Sequence, residues 1–238
     1  MKKNQTVRMV TPGQIKDIIS AVVQGVPTSM TFGMAESLIG NKGKLTAQVR
    51  KIFSATNPYA ELLADWQTFY RDIGIDCDLS GVVIPDDPGG FSRVIIMAKG
   101  IMPQSAYDLC AKNFPCWKYT NDNLDKIVTS ERTAKDGAYV IRVRDRVEAD
   151  EELKNHSYND LRKQNIIGIT LEEREIHELK FFKETGKHLD IANWTLCSGS
   201  RYRDGDVPRV YWFGGGMRVC WYGAGDALDD LRSRQAVS

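Results

Sequence analysis

At 238 residues, with 42% hydrophobic and 26% charged side chains, the chain has room for one large domain or two to three small ones of ordinary globular composition. A formal net charge of +1 supplies no global field toward nucleic acid or a membrane, and no apolar run reaches the length of a membrane span. The first residues, MKKNQTVRMV, carry Lys2 and Lys3 but lack a signal peptide's apolar segment, so a cytoplasmic location is the default expectation. Cys77, Cys110, Cys116, Cys197 and Cys220 form no C-x-x-C pair. They are expected to be buried reduced thiols, with neither a disulfide framework nor a zinc site.

Three helices are predicted first. Ile15, Ile18, Ile19 and Val22 recur at helical spacing, a short helix follows around Met34–Ile39 with a stop at Gly40, and Leu45, Val49, Ile52 and Phe53 share a face of a third. A small helical bundle is the expectation for residues 1–56. The helix–GNKG–helix order also permits a helix-turn-helix, but Lys44, Arg50 and Lys51 are few cations for one.

Residues 57–135 read as a small α/β unit. Beyond Asn57-Pro58, a helix runs through Leu62, Leu63, Trp66, Phe69 and Tyr70. The β-branched runs Gly81–Ile84 and Arg93–Ala98 flank the turn-rich PDDPGG, and a helix starts near Pro103. Asn121–Gly137 is polar and free of aromatics, which predicts a linker or exposed loop.

Residues 136–238 open on a half-buried strand in which Tyr139, Ile141 and Val143 alternate with Arg142 and Arg144. Thr170 and Glu173 form a capping box ahead of Ile176, Leu179 and Phe182, and Gly186 supplies the stop. Gly214-Gly215-Gly216 between two alternating runs signals a hairpin. Val210, Trp212, Met217, Val219 and Trp221 would face the core, leaving Arg209, Tyr211, Phe213, Arg218, Cys220 and Tyr222 on the opposite face. Tyr, Phe and Arg are residues that binding surfaces enrich. The chain's 16 Lys and 11 Glu are all absent from residues 195–238, where six Arg and five Asp stand instead. Solubility alone does not select that composition.

The run ITLEEREIHELKFFKETG at 169–186, TLCSGS at 195–200 and LRSRQAV at 231–237 resemble C-type-lectin-fold domains of the formylglycine-generating-enzyme type. Within that group they are most similar to the variable proteins of diversity-generating retroelements. In that family an error-prone reverse transcriptase rewrites adenines at the 3′ end of one gene. Asn codons so rewritten reach Tyr, Phe, Ser, Asp, Arg, Gly, Cys, Ala and Leu, but not Lys, Glu, Gln, Met or Trp.

The resemblance implies an α+β fold with a C-terminal C-type-lectin-like domain. It implies a hypervariable ligand-binding face made by Arg203, Asp206, Arg209, Tyr211, Phe213, Arg218, Cys220 and Tyr222, then Ala224, Ala227, Leu228 and Asp230 in a late loop. Trp194, Gly199, Trp212, Trp221, Arg232 and Arg234 would be scaffold, and strand Tyr139–Val143 would pair with the chain end near Ser233–Val237. The family's GGSW turn is here Ser198-Gly199-Ser200-Arg201, without its tryptophan.

The function so implied is non-enzymatic recognition of a protein or other macromolecule, without a cofactor. Tyr211, Phe213 and Tyr222 would anchor the ligand, Arg209 and Arg218 would be fork-shaped donors to carboxylates or backbone carbonyls, and replacing Tyr211 and Tyr222 with Ala would leave folding nearly intact. His156, His177 and His188 lack metal-ligand spacing and are expected at the surface or at helix ends. Asp204-Gly205-Asp206 reads as a polar turn, since it lacks the spaced carboxylates of a calcium loop. The alternative is nucleic-acid binding through the first helices and the arginines 142, 144, 146, 201, 203, 232 and 234.

Overall fold

A computed structural model of the chain describes residues 11–55 and 57–238. Lys2 and Lys3, on which the reading of the N-terminus rests, lie outside the described residues, as does the side chain of Arg50. The protein is mixed α+β, helical at its N-terminal end and β-rich toward its C-terminus. It divides into two compact units, Met1–Ala64 and Asp65–Ser238.

In the first unit, α1 (Pro12–Gln24) starts on a capping box between Thr11 and Gln14 with Pro12 in its first turn. Thr31 caps α2 (Phe32–Gly40), which runs through Gly40 to end at Asn41, and α3 is Lys42–Ala55. The helices match the expectation, but no residue of α1 or α2 is buried, so the described residues of these two helices contribute no bundle core. The stripe of Ile15, Ile18, Ile19, Val22 and Val23 is 42–63% exposed. Helical spacing predicts an amphipathic helix, not what covers it.

The second unit joins what sequence reading separates at 135/136. Strand β1 (Arg93–Met97) pairs antiparallel with β4 (Tyr139–Val143). Strand β3 (Val128–Ser130) pairs antiparallel with β6 (Ser200–Tyr202). A five-stranded sheet has the order β2 (Cys116–Lys118), β8 (Gly216–Tyr222), β7 (Val207–Phe213), β5 (Trp194–Leu196), β9 (Leu231–Ser233). Residues 57–135 are therefore no free-standing α/β unit, because their strands find partners only beyond residue 138. Gly81–Ile84, expected as a strand, forms a turn and irregular chain instead. Asn121–Gly137, expected as an exposed loop, contains α6 (Leu124–Ile127) and β3 and buries Leu124, Ile127, Val128 and Ala134. A few apolar residues among many polar ones were enough, because their partner strand lies about seventy residues away.

The expected meeting of Tyr139–Val143 with the chain end occurs as one bridge. Arg142 and Val237 exchange backbone hydrogen bonds of 2.7 and 2.9 Å. Leu231–Ser233 lies instead beside β5, in parallel.

At the centre lies α8 (Leu171–Thr185), capped by Thr170 and Glu173 and ended by Gly186 in the left-handed conformation at φ 68°. It packs against α5 (Pro103–Ala111), β1 and β7. Every residue from Leu171 to Lys180 is buried, charged ones included. Arg174 lies between Glu178 (2.8 Å) and Asp190 (2.8 Å), and Asp190 also binds Arg234 at 2.6 Å. Burial alone would raise the Asp190 carboxyl; the Arg234 and Arg174 guanidiniums more than offset that and hold it low. Arg132 and the Tyr139 hydroxyl both donate to Glu173. Lys180 reaches Asp65 and Glu184.

Two acids of the same helix are not so paired. Burial pushes Glu172 up to about 7, although Ser130 donates to it. Burial and the neighbouring Glu172 raise Glu175 well above the usual carboxylate range, and neither of its carboxyl oxygens has a hydrogen-bond partner. His177 is buried, contrary to expectation, and is kept neutral by that burial and by Arg234, Arg93 and Arg174.

Candidate ligand-recognition face

Strands β7 and β8 meet through Gly214 and Gly215, whose φ angles of 61° and 79° suit the two-residue turn that matches strand twist. That turn sets the register. Val207↔Tyr222, Arg209↔Cys220, Tyr211↔Arg218 and Phe213↔Gly216 lie on one face; Pro208↔Trp221, Val210↔Val219 and Trp212↔Met217 lie on the other. The neighbouring strands extend the first face. Trp117 stands beside Arg218, and Leu196 beside Arg209.

The second face is the inward one. Val210, Met217 and Val219 are buried. Trp212, partly exposed, stacks on His188 with ring centroids 3.3 Å apart, and Phe114 and Phe182 complete that aromatic cluster. His188 also meets Glu178 at 2.9 Å.

The first face is covered at one end and open at the other. Val207, Leu196 and Leu231 form an apolar cluster with Leu153 and Leu161, which belong to a short 3-10 turn (Glu151–Leu153) and to α7 (Tyr158–Lys163). Tyr222, Trp194 and Ala224 pack on its edge. Farther along, Phe213 is 68% exposed and Trp117 39%. Arg203, Ala227 and Leu228 are exposed; Asp206, Arg209, Arg218, Tyr222, Ala224 and Asp230 are partly so. Tyr211 and Cys220 are 8% and 4% exposed, so these two lie beneath the face and not on it. The expectation that removing Tyr211 leaves folding nearly intact is corrected by that burial.

Arg209 is the centre of the face. Its guanidinium carbon lies 4.1 Å from the Trp194 ring, 3.8 Å from Tyr222 and 5.0 Å from Tyr211. Nε donates to Cys220 Sγ at 2.7 Å. Nη1 is shielded from solvent and has no hydrogen-bond partner. Arg218 donates from Nε to the Phe213 carbonyl at 3.3 Å and lies over Trp117. Sequence reading placed Trp194 in the scaffold and did not single out Trp117. The composition of β2, three residues of a short strand, carries no signal that it will add in parallel to β8.

Two residues expected as scaffold, Gly199 and Arg234, are tightly enclosed. A Cβ on Gly199 would come within 2.7 Å of the Gly168 carbonyl oxygen, so no larger residue fits there. Arg234 is buried and donates to Thr195, Asp190 and the Arg146 and Val147 carbonyls.

Burial raises the Cys220 thiol and Arg209 offsets only part of that, so it is no activated nucleophile. Burial also raises Cys77, takes Cys116 up to about 12, and lifts Cys110 and Cys197 well above the usual thiol range. All five cysteines are unpaired. Among the described residues no group of three His, Cys, Asp or Glu could hold a metal ion, and no helix is long and apolar enough to cross a membrane.

Most arginines proposed as a basic surface are neutralised locally: Arg144 by Asp150, Arg146 by Glu152, Arg203 by Asp122, Arg232 by Glu151 and Arg234 by Asp190. An open pocket of about 380 Å³ lies at Arg146, Glu148 and Arg232, with Glu151 and Glu152 also in its lining. No protein-family model, no curated protein and no solved structure matches this chain.

Proposed function

We propose that this is a non-enzymatic recognition protein that binds a protein ligand through the open end of the β2–β8–β7–β5 face. On this reading the C-terminal unit is a C-type-lectin-like scaffold whose outward residues are diversified by a retroelement, and the protein works inside the cell. One observation carries the reading. Each candidate variable residue of the hairpin shares one face by register, while Trp212, Met217 and Trp221, which adenine rewriting of Asn codons does not reach, share the other. Further support comes from the Arg209 guanidinium held between Trp194 and Tyr222, with Phe213 and Trp117 exposed beside it. Exposed aromatics around an arginine are what hot spots of protein interfaces enrich.

Sequencing the DNA that flanks the gene tests the diversification. An imperfect copy of the segment encoding residues 195–238, differing mainly at adenines and lying beside a reverse-transcriptase gene, is the expected result. The candidate positions should carry those differences and the inward tryptophans should not. Flanks with no such copy would remove the retroelement from the reading.

A further inference from the structure

We infer that the ligand of this face is a protein segment presenting one or two carboxylates among apolar residues, taken up by Arg209 and Arg218. The inference rests on the recognition reading and names its chemistry. In the unit Asp65–Ser238, nine arginines are ion-paired with carboxylates, from Arg93–Glu184 to Arg234–Asp190. Arg209 and Arg218 have no such pair, and both lie on the partly open β2–β8–β7–β5 face.

Each lies against aromatic rings instead, Arg209 at 4.1 Å from Trp194 and 3.8 Å from Tyr222, and Arg218 at 5.6 Å from Trp117. Ring contacts of this kind restrain the guanidinium, so less freedom is lost when a carboxylate is bound. Arg209 uses Nε on Cys220, and its solvent-shielded Nη1 has no acceptor within the protein, so no carboxylate of the chain satisfies this guanidinium. Because Arg209 stands opposite Cys220, Arg218 is its diagonal neighbour across β7 and β8, about 7–8 Å away along the backbone. Two acidic side chains of one extended segment, or a single one bridging the pair, match that spacing.

The surroundings decide against a polyanion. Asp204, Asp206, Asp226, Asp229 and Asp230 stand in the two loops at the Val207–Tyr222 end of the face, and residues 57–238 carry 24 Lys and Arg against 29 Asp and Glu. A nucleic-acid backbone would bring a row of phosphates against that rim. An isolated carboxylate between apolar side chains meets the two arginines and the rings of Phe213, Trp117 and Tyr222 without it.

The test uses the full chain and two probes. In the first, the arginine Nε–Hε NMR signals are followed while sodium glutarate is added, with neutral glutaramide as control. The expected result is a saturable shift confined to Arg209 and Arg218 with glutarate only. It should be lost in R209Q/R218Q, whose other arginine signals stay in place and so report an intact fold. A uniform, non-saturating drift that includes the exposed Arg203 would overturn the inference.

In the second, peptides selected from a random display library on the full chain are compared with variants. Peptides rich in Asp or Glu that bind roughly tenfold more weakly to R209Q/R218Q, the worth of one charge-assisted pair, support it. Peptides without acids that depend on Phe213 and Tyr222 but not on the arginines would overturn the carboxylate inference and leave the recognition reading standing. Peptides indifferent to all four residues would overturn both. Duplex DNA competing at the same residues, with affinity falling steeply in salt, would also overturn it.

Discussion

Helices α1 and α8 are built on opposite plans. The first carries a regular stripe of Ile and Val, and that stripe is exposed. The second reads LEEREIHELKFFKET, crowded with charge, and it is buried from Leu171 to Lys180. Periodicity reports that a segment can be a helix; burial depends on what the rest of the chain brings to it. Around α8 those partners come from Asp65, Ser130, Arg132 and Asp190, the last held in turn by Arg234, spread over most of the second unit. A buried charge is tolerable only when such partners arrive, so a charged helix can be core where an apolar-striped one is not.

The contrast can be broken most severely at Arg174. Arg174→Ala leaves Glu178 and Asp190 buried with fewer countercharges and should destabilise the protein by about 3–5 kcal/mol, read as a lower denaturation midpoint in guanidinium. Next comes the candidate face itself. Tyr211→Ala, beneath the sheet surface, should cost about 3 kcal/mol, whereas Phe213→Ala should stay within about 0.5 kcal/mol of the parent. Equal losses at the two positions in thermal unfolding would contradict the division of this face into covered and open ends.

The pH dependence of stability isolates one unpaired acid of α8. The folded protein holds a proton on Glu172 up to about pH 7, above the ordinary carboxylate value of 4.5. The stability this contributes is complete below about pH 4.5 and is lost as pH rises toward 7, because the unfolded chain gives up that proton first. Glu172→Gln should flatten the decline between those values and leave the variant roughly 2–3 kcal/mol more stable than the parent at pH 8. Denaturation midpoints across that range measure it; a decline unchanged in the variant would assign the slope to another group.

The smallest effect belongs to α1. Ile18→Ser, on the exposed stripe, should change stability by no more than about 0.5 kcal/mol. A loss of several kcal/mol in the same unfolding measurement would mean that the stripe is covered.

Local signals were legible wherever a short stretch specifies its own geometry. The capping box at Thr170 and Glu173, the stop at Gly186, the Gly214-Gly215 turn and the two faces of β7 and β8 all follow from neighbours within a few residues. Gly81–Ile84, a β-branched run with no ladder to join, was misleading for the same reason. So was Asn121–Gly137, whose strand is recognisable only beside β6. The candidate face was legible as an alternation, but its depth was not. Tyr211 and Cys220 alternate as regularly as Phe213, yet they are covered while Phe213 is open.

By itself, the sequence determined the caps, the turns, the register of the hairpin and which side chains share a face, because each depends on backbone angles and a period of two or 3.6 residues. Only the tertiary structure decided that Trp117 joins the face, that the segment 151–166 covers one end of it, and that α8 goes inside with its charges. Those outcomes depend on partners tens of residues away, and no local pattern encodes which polar groups will meet.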